Sequence, residues 1–288
     1  VSVVGADRRG RVAVVTDSTA ALSDDQAAAL GVDVVPLEVV IDGESGRDGV
    51  DVSSAQVADA LRAMRPVTTS RPAPASLLAA YERARHDGAT AVVSIHLSAH
   101  LSGTVDGARL AAQEASLDVT VVDSHLIGLA LGFGVIGAAL RAAEGADAEA
   151  VEAEARRVFA DSSIMFYVDT LEYLRRGGRI GAASAFLGNV LSVKPLLEVV
   201  DGTIAPVEKV RTANRALTRL LDLTVERAGS RPVQLGVHHL AARDRAEKMR
   251  SALESRLPAS SPVAVRELGA VLGAHVGPGV VAVAMAPR

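Results

Sequence analysis

The polar residues best placed to do chemistry fall in a few short runs. Ser98-Ala99-His100-Leu101-Ser102-Gly103-Thr104 follows an apolar run of strand length and opens a helical pattern. In open α/β sheets, ligands collect at the carboxyl ends of the strands. A helix start offers an anion unpaired N–H groups and a positive dipole end, and Ser102 or Thr104 could add a hydroxyl donor. An ordinary helix cap needs the same residues, so this segment alone supports both readings, with Ser98 and Gly103 as its loop residues. Thr68-Thr69-Ser70-Arg71-Pro72 is a hydroxyl-rich loop braced by prolines, and Asp17-Ser18-Thr19 closes a strand. Turns favour such residues with or without a ligand. Arg175-Arg176-Gly177-Gly178-Arg179-Ile180 gathers three guanidiniums around a glycine pair. Arginine forks hold carboxylate or phosphate bidentately; the alternative is a solvated turn. His275-Val276-Gly277-Pro278-Gly279 is a tight turn whose histidine is either an anion donor or a surface residue. Lys194 and Lys209 are two of only three lysines, and Arg211 follows closely.

Other chemistries have less support. His96 and His100 are four apart, but no HExxH is present and zinc would need further ligands; no metal is expected. His238-His239 sits at a strand end and is either structural or near a site. Gly132-Phe133-Gly134-Val135-Ile136-Gly137 matches GxGxxG. A dinucleotide site needs those glycines in a strand-to-helix turn, whereas here they lie ten residues past the nearest strand, inside an apolar run. Close packing is the expected role. There is no Walker A sequence, no GxSxG and no telling pair of carboxylates. Cysteine is absent, so disulfides, thiolate metal sites and a cysteine nucleophile are excluded. Hence no catalytic residue and no cofactor are assigned.

The elements that must position these runs read as follows. Arg11–Thr16 is a strand, a helix capped near Ser23 runs to Leu30, and Val34–Ile41 is a second strand with Pro36 near an edge. A helix capped by Ser53 or Ser54 ends near Met64. Val67–Pro74 has neither period and reads as loop. Ala75–His86 is a helix, Ala91–His96 a strand, Ser102 to about Ala115 a helix and Val119–Val122 a strand. Ser124 caps an apolar helix containing Leu126–Leu140, and Ala148–Phe159 is another helix. Strands alternating with helices imply βαβ units and a mainly parallel sheet. Beyond residue 160 the pattern weakens: strand Ile164–Val168, a helical turn Leu171–Arg176, helix Ala182–Leu191, and a hairpin of Leu196–Val200 and Thr203–Glu208 about Asp201-Gly202. Then come helix Thr212–Arg227, strand Val233–His239, helix Asp244–Leu257, and strands Val263–Arg266 and Val280–Met285. The expected fold class is α/β with two α/β domains: residues 1–160 with a mainly parallel sheet flanked by helices, and residues 161–288 with a mixed sheet and helices.

Composition narrows the function classes. The chain has 288 residues, is 49% hydrophobic and 22% charged, and carries a net charge of -4. Its mean hydropathy is +0.27. That is a folding composition rather than a disordered one, and its length favours two domains over one. A mildly acidic chain without tryptophan, with four Phe and three Tyr, is poorly suited to nucleic acid or base stacking. Arg8, Arg9 and Arg11 precede no long apolar segment, so no signal peptide is expected and a cytoplasmic location is. Leu126–Leu140 has 15 residues, short of the ~20 that span a bilayer; no stable membrane insertion is expected, while transient contact stays open.

Taken in order, VTDSTA (Val15–Ala20), TTSRPAP (Thr68–Pro74), LSGT (Leu101–Thr104), VDTLEYLRRGGRI (Val168–Ile180), LSVKPLL (Leu191–Leu197) and HVGPG (His275–Gly279) resemble the DegV family of fatty-acid-binding proteins. The family's loop usually reads Thr-Ser-Gln-Pro-Ser; here Arg71 stands for the Gln and Ala73 for the second Ser. The resemblance implies a two-domain bacterial protein holding one long-chain fatty acid at or near the domain interface. Such a protein serves lipid metabolism as the non-catalytic subunit of a fatty-acid kinase, whose separate kinase subunit turns the bound carboxylate into an acyl phosphate. By motif, Thr69, Ser102 and His275 match head-group positions, and Arg176 or Arg179 matches the basic one. Ser70, Ser98, Gly103 and Thr104 are further candidates, and Lys209 or Arg211 falls in the region facing the kinase. The alternatives are an enzyme acting on a phosphorylated small molecule, with LSGT and RRGGR as clamp, and a nucleotide-binding regulator using GxGxxG.

Overall fold

A computed structural model describes residues 11–186, 194–260 and 262–288. Arg8 and Arg9, residues 187–191 of the expected helix and Leu191–Val193 of the LSVKPLL run lie outside the described residues.

The first half follows the alternation read from the sequence. Its strands are β1 (Arg11–Asp17), β2 (Val32–Val35), β6 (Ala89–His96) and β7 (Asp118–Asp123), all parallel in the order β2-β1-β6-β7. Period-two alternation splits each strand between two cores: Val15 and Val92 face α3 (Pro74–His86) and α4 (Thr104–Glu114), while Val14 and Val93 face α5 (Gly128–Ala143). Helix α1 (Asp24–Leu30) starts at a Ser23-Gln26 capping box and α2 (Ser54–Arg62) at a Ser53-Gln56 box. Helix α6 (Ala148–Ala160) closes this half.

Val34–Ile41 is not one strand. The chain leaves the parallel sheet after Val35, and β3 (Glu38–Ile41) pairs with β4 (Glu44–Arg47) and β5 (Val67–Ser70) in a separate antiparallel sheet. Pro36 lacks the N–H that would continue a ladder. The expected loop at 67–74 is therefore a strand for its first four residues. Its alternation turns Val67 and Thr69 inward and leaves Thr68 and Ser70 exposed.

The second half carries β8 (Ser163–Tyr167), β9 (Lys194–Val200), β10 (Thr203–Val210), β11 (Val233–His239), β12 (Ala264–Glu267) and β13 (Val281–Pro287) in the mixed order β10-β9-β8-β13-β11-β12. The β9–β10 hairpin forms as expected, with Asp201 and Gly202 at positive φ in its turn. Helices α8 (Ala213–Ala228) and α9 (Arg243–Arg256) cover one face. The other face, with Ile164, Phe166, Ala282 and Leu197, joins α5 and α10 (Ala270–Val276) in one core shared with the parallel sheet. The short α7 (Glu172–Arg176) packs against α10. The fold class is α/β, a parallel four-stranded sheet flanked by helices beside a six-stranded mixed sheet.

Ser124 does not cap the apolar helix. Its Oγ bonds Leu126 N, whereas buried His238 Nε2 accepts the Leu129 N–H at the start of α5. The GxGxxG residues lie inside α5 and serve packing. A Cβ on Gly132 would sit 2.3 Å from the Ala20 carbonyl oxygen, and one on Gly134 would sit 2.0 Å from the Phe159 ring.

Candidate functional site

The shared core is not filled. Between the sheets lies a cavity of about 350 Å³, within the ~300–1,000 Å³ typical of small-molecule sites. Its walls are apolar, including Leu97, Ile127, Ile164, Phe166, Leu272 and Ala282. Thr69, Ser102, His275 and Arg179 also line it, so four residues from four distant motifs meet there. Thr69, Arg179 and His275 line a second, outer pit of about 490 Å³ as well, and so stand between the apolar cavity and this pit.

Each polar side chain is held by its element. Thr69 lies on β5, paired with Val39, and its Oγ1 shares a 2.8 Å hydrogen bond with His275 Nε2. His275 lies in the last turn of α10. Asp48 fixes the start of that helix: its carboxylate accepts the Ala270 N–H at 2.7 Å and the Ser18 hydroxyl at 2.8 Å. Burial pushes the Asp48 carboxyl up, against these hydrogen bonds. Ser102 precedes α4, whose N-cap is Gly103, and its Oγ bonds Thr104 Oγ1 at 2.8 Å. Ser102 therefore makes no cap to a backbone N–H in this arrangement, and it faces the cavity. Arg179 donates Nε to Leu101 O at 3.0 Å and Nη1 to Gly177 O at 2.6 Å.

The remaining candidates separate. Arg176 is exposed, pairs with Glu172 at 2.6 Å and lines only the outer pit. Ser70 and Gly103 border the cavity. Ser98 is buried elsewhere, donating to Gly202 O at 2.7 Å and so tying the β9–β10 turn to the parallel sheet. Thr104 is buried beside Ser102. Lys209 is exposed on β10 with its ammonium 4.4 Å from the Phe186 ring centroid, and Arg211 is exposed just beyond β10; neither lines the cavity.

Sequence reasoning missed three groups. Arg71 lines the mouth and donates to Gly103 O at 3.3 Å. Asp48 carries no local signal because its partner is 222 residues away. A wholly buried chain runs from Tyr81 OH to Ser94 Oγ (2.9 Å) to His96 Nε2 (2.7 Å), and from His96 Nδ1 to Asp17 (3.0 Å). It contains the residue types of a nucleophilic triad, but none of the four lines a cavity described here. Asp17 also accepts the Leu97 N–H at 3.0 Å, so the network pins the strand end from which the Ser102 loop departs. Among the described residues no cluster of three or more His, Asp or Glu could hold a metal, and no helix is long and apolar enough to cross a membrane.

Burial pushes His275 down to about 4, helped by the nearby Arg179 charge, and burial pushes His238 to about 4. Both are uncharged at neutral pH. Unfolded, each takes up a proton below about 6.5, so the unfolded state binds more protons between the two values. The stability they contribute is complete above pH 6.5 and is lost as pH falls towards 4. The melting temperature is expected to drop across that window in calorimetry, with a shallower slope for His275→Gln. An equal slope would show that His275 does not titrate differently on folding.

The comparisons agree with this architecture. The family model described as "Uncharacterised protein, DegV family" matches residues 11–288. A DegV domain-containing protein of Streptomyces coelicolor is 48% identical over 277 residues, covering 96% of this chain and 99% of the relative. A DegV family protein from Thermus thermophilus, described for its fatty acid binding, superposes with a TM-score of 0.91 at 37% identity, over 96% of this chain and 100% of that one. DegV of Bacillus subtilis, described as a fatty acid binding protein, superposes with a TM-score of 0.88 at 32% identity, over 97% and 100%. By sequence and by fold, this chain belongs to the DegV family.

Proposed function

We propose that this protein binds one long-chain fatty acid, with the tail in the apolar cavity and the carboxylate among Thr69, Ser102, His275 and Arg179. The observation that carries the reading is a mainly apolar cavity whose lining also brings together hydroxyls, a neutral imidazole and a guanidinium, with Thr69 hydrogen-bonded to His275 and Arg179 to the carbonyl before Ser102. The descriptions of the Thermus and Bacillus relatives support it. About 14 buried methylenes at ~0.8 kcal/mol each give an upper limit near ~11 kcal/mol. A hydrogen bond to a charged group adds only ~1.5–3 kcal/mol. The tail sets affinity and the head contacts set orientation. His275 is uncharged, so it acts on the carboxylate through the Thr69 hydroxyl rather than by charge, and Arg179 supplies the cation.

The protein is not itself the catalyst on this reading. It presents the carboxylate through the outer pit to a separate kinase subunit, which forms the acyl phosphate. Lys209 and Arg211 are the residues assigned to that contact, and residues 1–160 and 161–288 are the two units that meet around the ligand. We place the protein in the cytoplasm, in transient contact with membranes when it exchanges lipid. A polar clamp for a small phosphorylated substrate fits less well, because Ser102 and Arg179 open onto apolar walls.

Native mass spectrometry of the purified chain, followed by lipid extraction, tests the reading. One fatty acid per chain is expected. Delipidated protein without saturable binding of long-chain fatty acid would end the proposal.

A further inference from the structure

Arg71 adds a charge that a carboxylate does not require. Its Nη1 donates to Gly103 O, and a Cβ on Gly103 would come within 2.9 Å of that nitrogen. The glycine thus lets the guanidinium lie against the turn that carries Ser102. On the other flank Arg179 donates to Leu101 O. The carbonyls on both sides of Ser102 are each held by an arginine, and both arginines line the cavity mouth.

Neither Arg71 nor Arg179 forms an ion pair with Asp or Glu among the described residues. By contrast, Arg65 and Arg176 in the adjoining pit are neutralised by Asp42 and Glu172. Among the described residues no acidic one lines the cavity or the pit, and His275 contributes no charge near pH 7. The head site therefore presents two unpaired guanidiniums, whereas a fatty carboxylate brings one negative charge. A phosphate monoester brings roughly −1.5 to −2 at pH 7 and three acceptor oxygens, which suits two arginine forks. Both arginines line the same cavity, beside Ser102 and Ser70, and Arg179 also borders the adjoining pit.

We propose that Arg71 and Arg179 form a clamp for a phosphate group on a single-chain lipid, so that the site holds such a lipid phosphate more tightly than the fatty acid of equal chain length. This rests on the fatty-acid reading above. Two sources share the chemistry: phosphate set directly on the acyl chain, or phosphate carried through glycerol.

Calorimetry on delipidated full-length protein at pH 7.5, below micelle formation, compares myristate, tetradecyl phosphate and 1-myristoyl-lysophosphatidate. At least one phosphate is expected to bind roughly tenfold more tightly than myristate, about 1.4 kcal/mol; the tighter of the two names the source. Arg71→Gln is expected to cancel that ratio, and Arg71→Lys to restore only part of it, because an ammonium lacks the fork. Phosphates binding no tighter than myristate would overturn the clamp while leaving the fatty-acid reading intact. So would Arg71→Gln weakening acid and phosphate equally. Absence of binding by all three would remove the fatty-acid reading and the clamp together.

Discussion

Ala282→Trp is expected to yield a folded protein that carries no fatty acid. Ala282 is buried on β13 opposite Phe166, and its side chain borders the cavity. In a filled core the added indole would cost ~1–3 kcal/mol in strain. Here it enters existing space of about 350 Å³, so circular dichroism and the melting temperature should change little. The tail loses the same space, and because the tail provides most of the affinity, binding should fall by at least ~100-fold, which is ~2.7 kcal/mol. Native mass spectrometry measures the loss. The parent has no tryptophan, so a blue-shifted indole emission reports directly that the new ring is buried. A variant with both a buried indole and a full complement of fatty acid would show that the lipid lies elsewhere.

Ser102→Ala is expected to separate holding the lipid from passing it on. The substitution removes one hydroxyl at the head and no wall of the cavity, so fatty acid should still co-purify. Reaction demands more than retention, since misplacing a reacting group by about 1 Å can cost ~100-fold in rate. With the kinase subunit added, acyl phosphate trapped as hydroxamate should form about 100-fold more slowly than from the parent. His275→Ala should behave alike, through loss of its bond to Thr69. Equal losses in retention and in rate would mean that Ser102 supports the cavity rather than orienting the acid.

The parallel half was legible because its strands are near-continuous apolar runs separated by helices, as at Ala89–His96 between α3 and α4. The β9–β10 hairpin was legible from Asp201-Gly202, whose positive φ values suit its tight turn. The small sheet was not. Its strands are four residues long, two of them mostly polar, and only pairing with β3 makes Val67–Ser70 extended. Helix α10 was invisible for another reason. Six of its seven residues are buried, so it shows no amphipathic period, and its cap comes from Asp48, far away in sequence. The site followed the same logic. Thr69, Ser102 and His275 each sat in a run open to both a functional and a plain structural reading, and the ordered motif set singled them out. Arg176 and Arg179 were indistinguishable by spacing, and the Glu172 carboxylate that takes up Arg176 separates them in the structure.

The cavity walls run from Leu37 to Ala282 in sequence and come from the small antiparallel sheet, the mixed sheet, α7, α10 and the loops at the ends of the parallel strands, such as Leu97 just past β6. On the fatty-acid reading, custody of the lipid is therefore a property of the assembled chain and not of any fragment. A nick that lets one sheet swing away would spill the cargo, and a chain still emerging during synthesis could not load until nearly its last strand had docked.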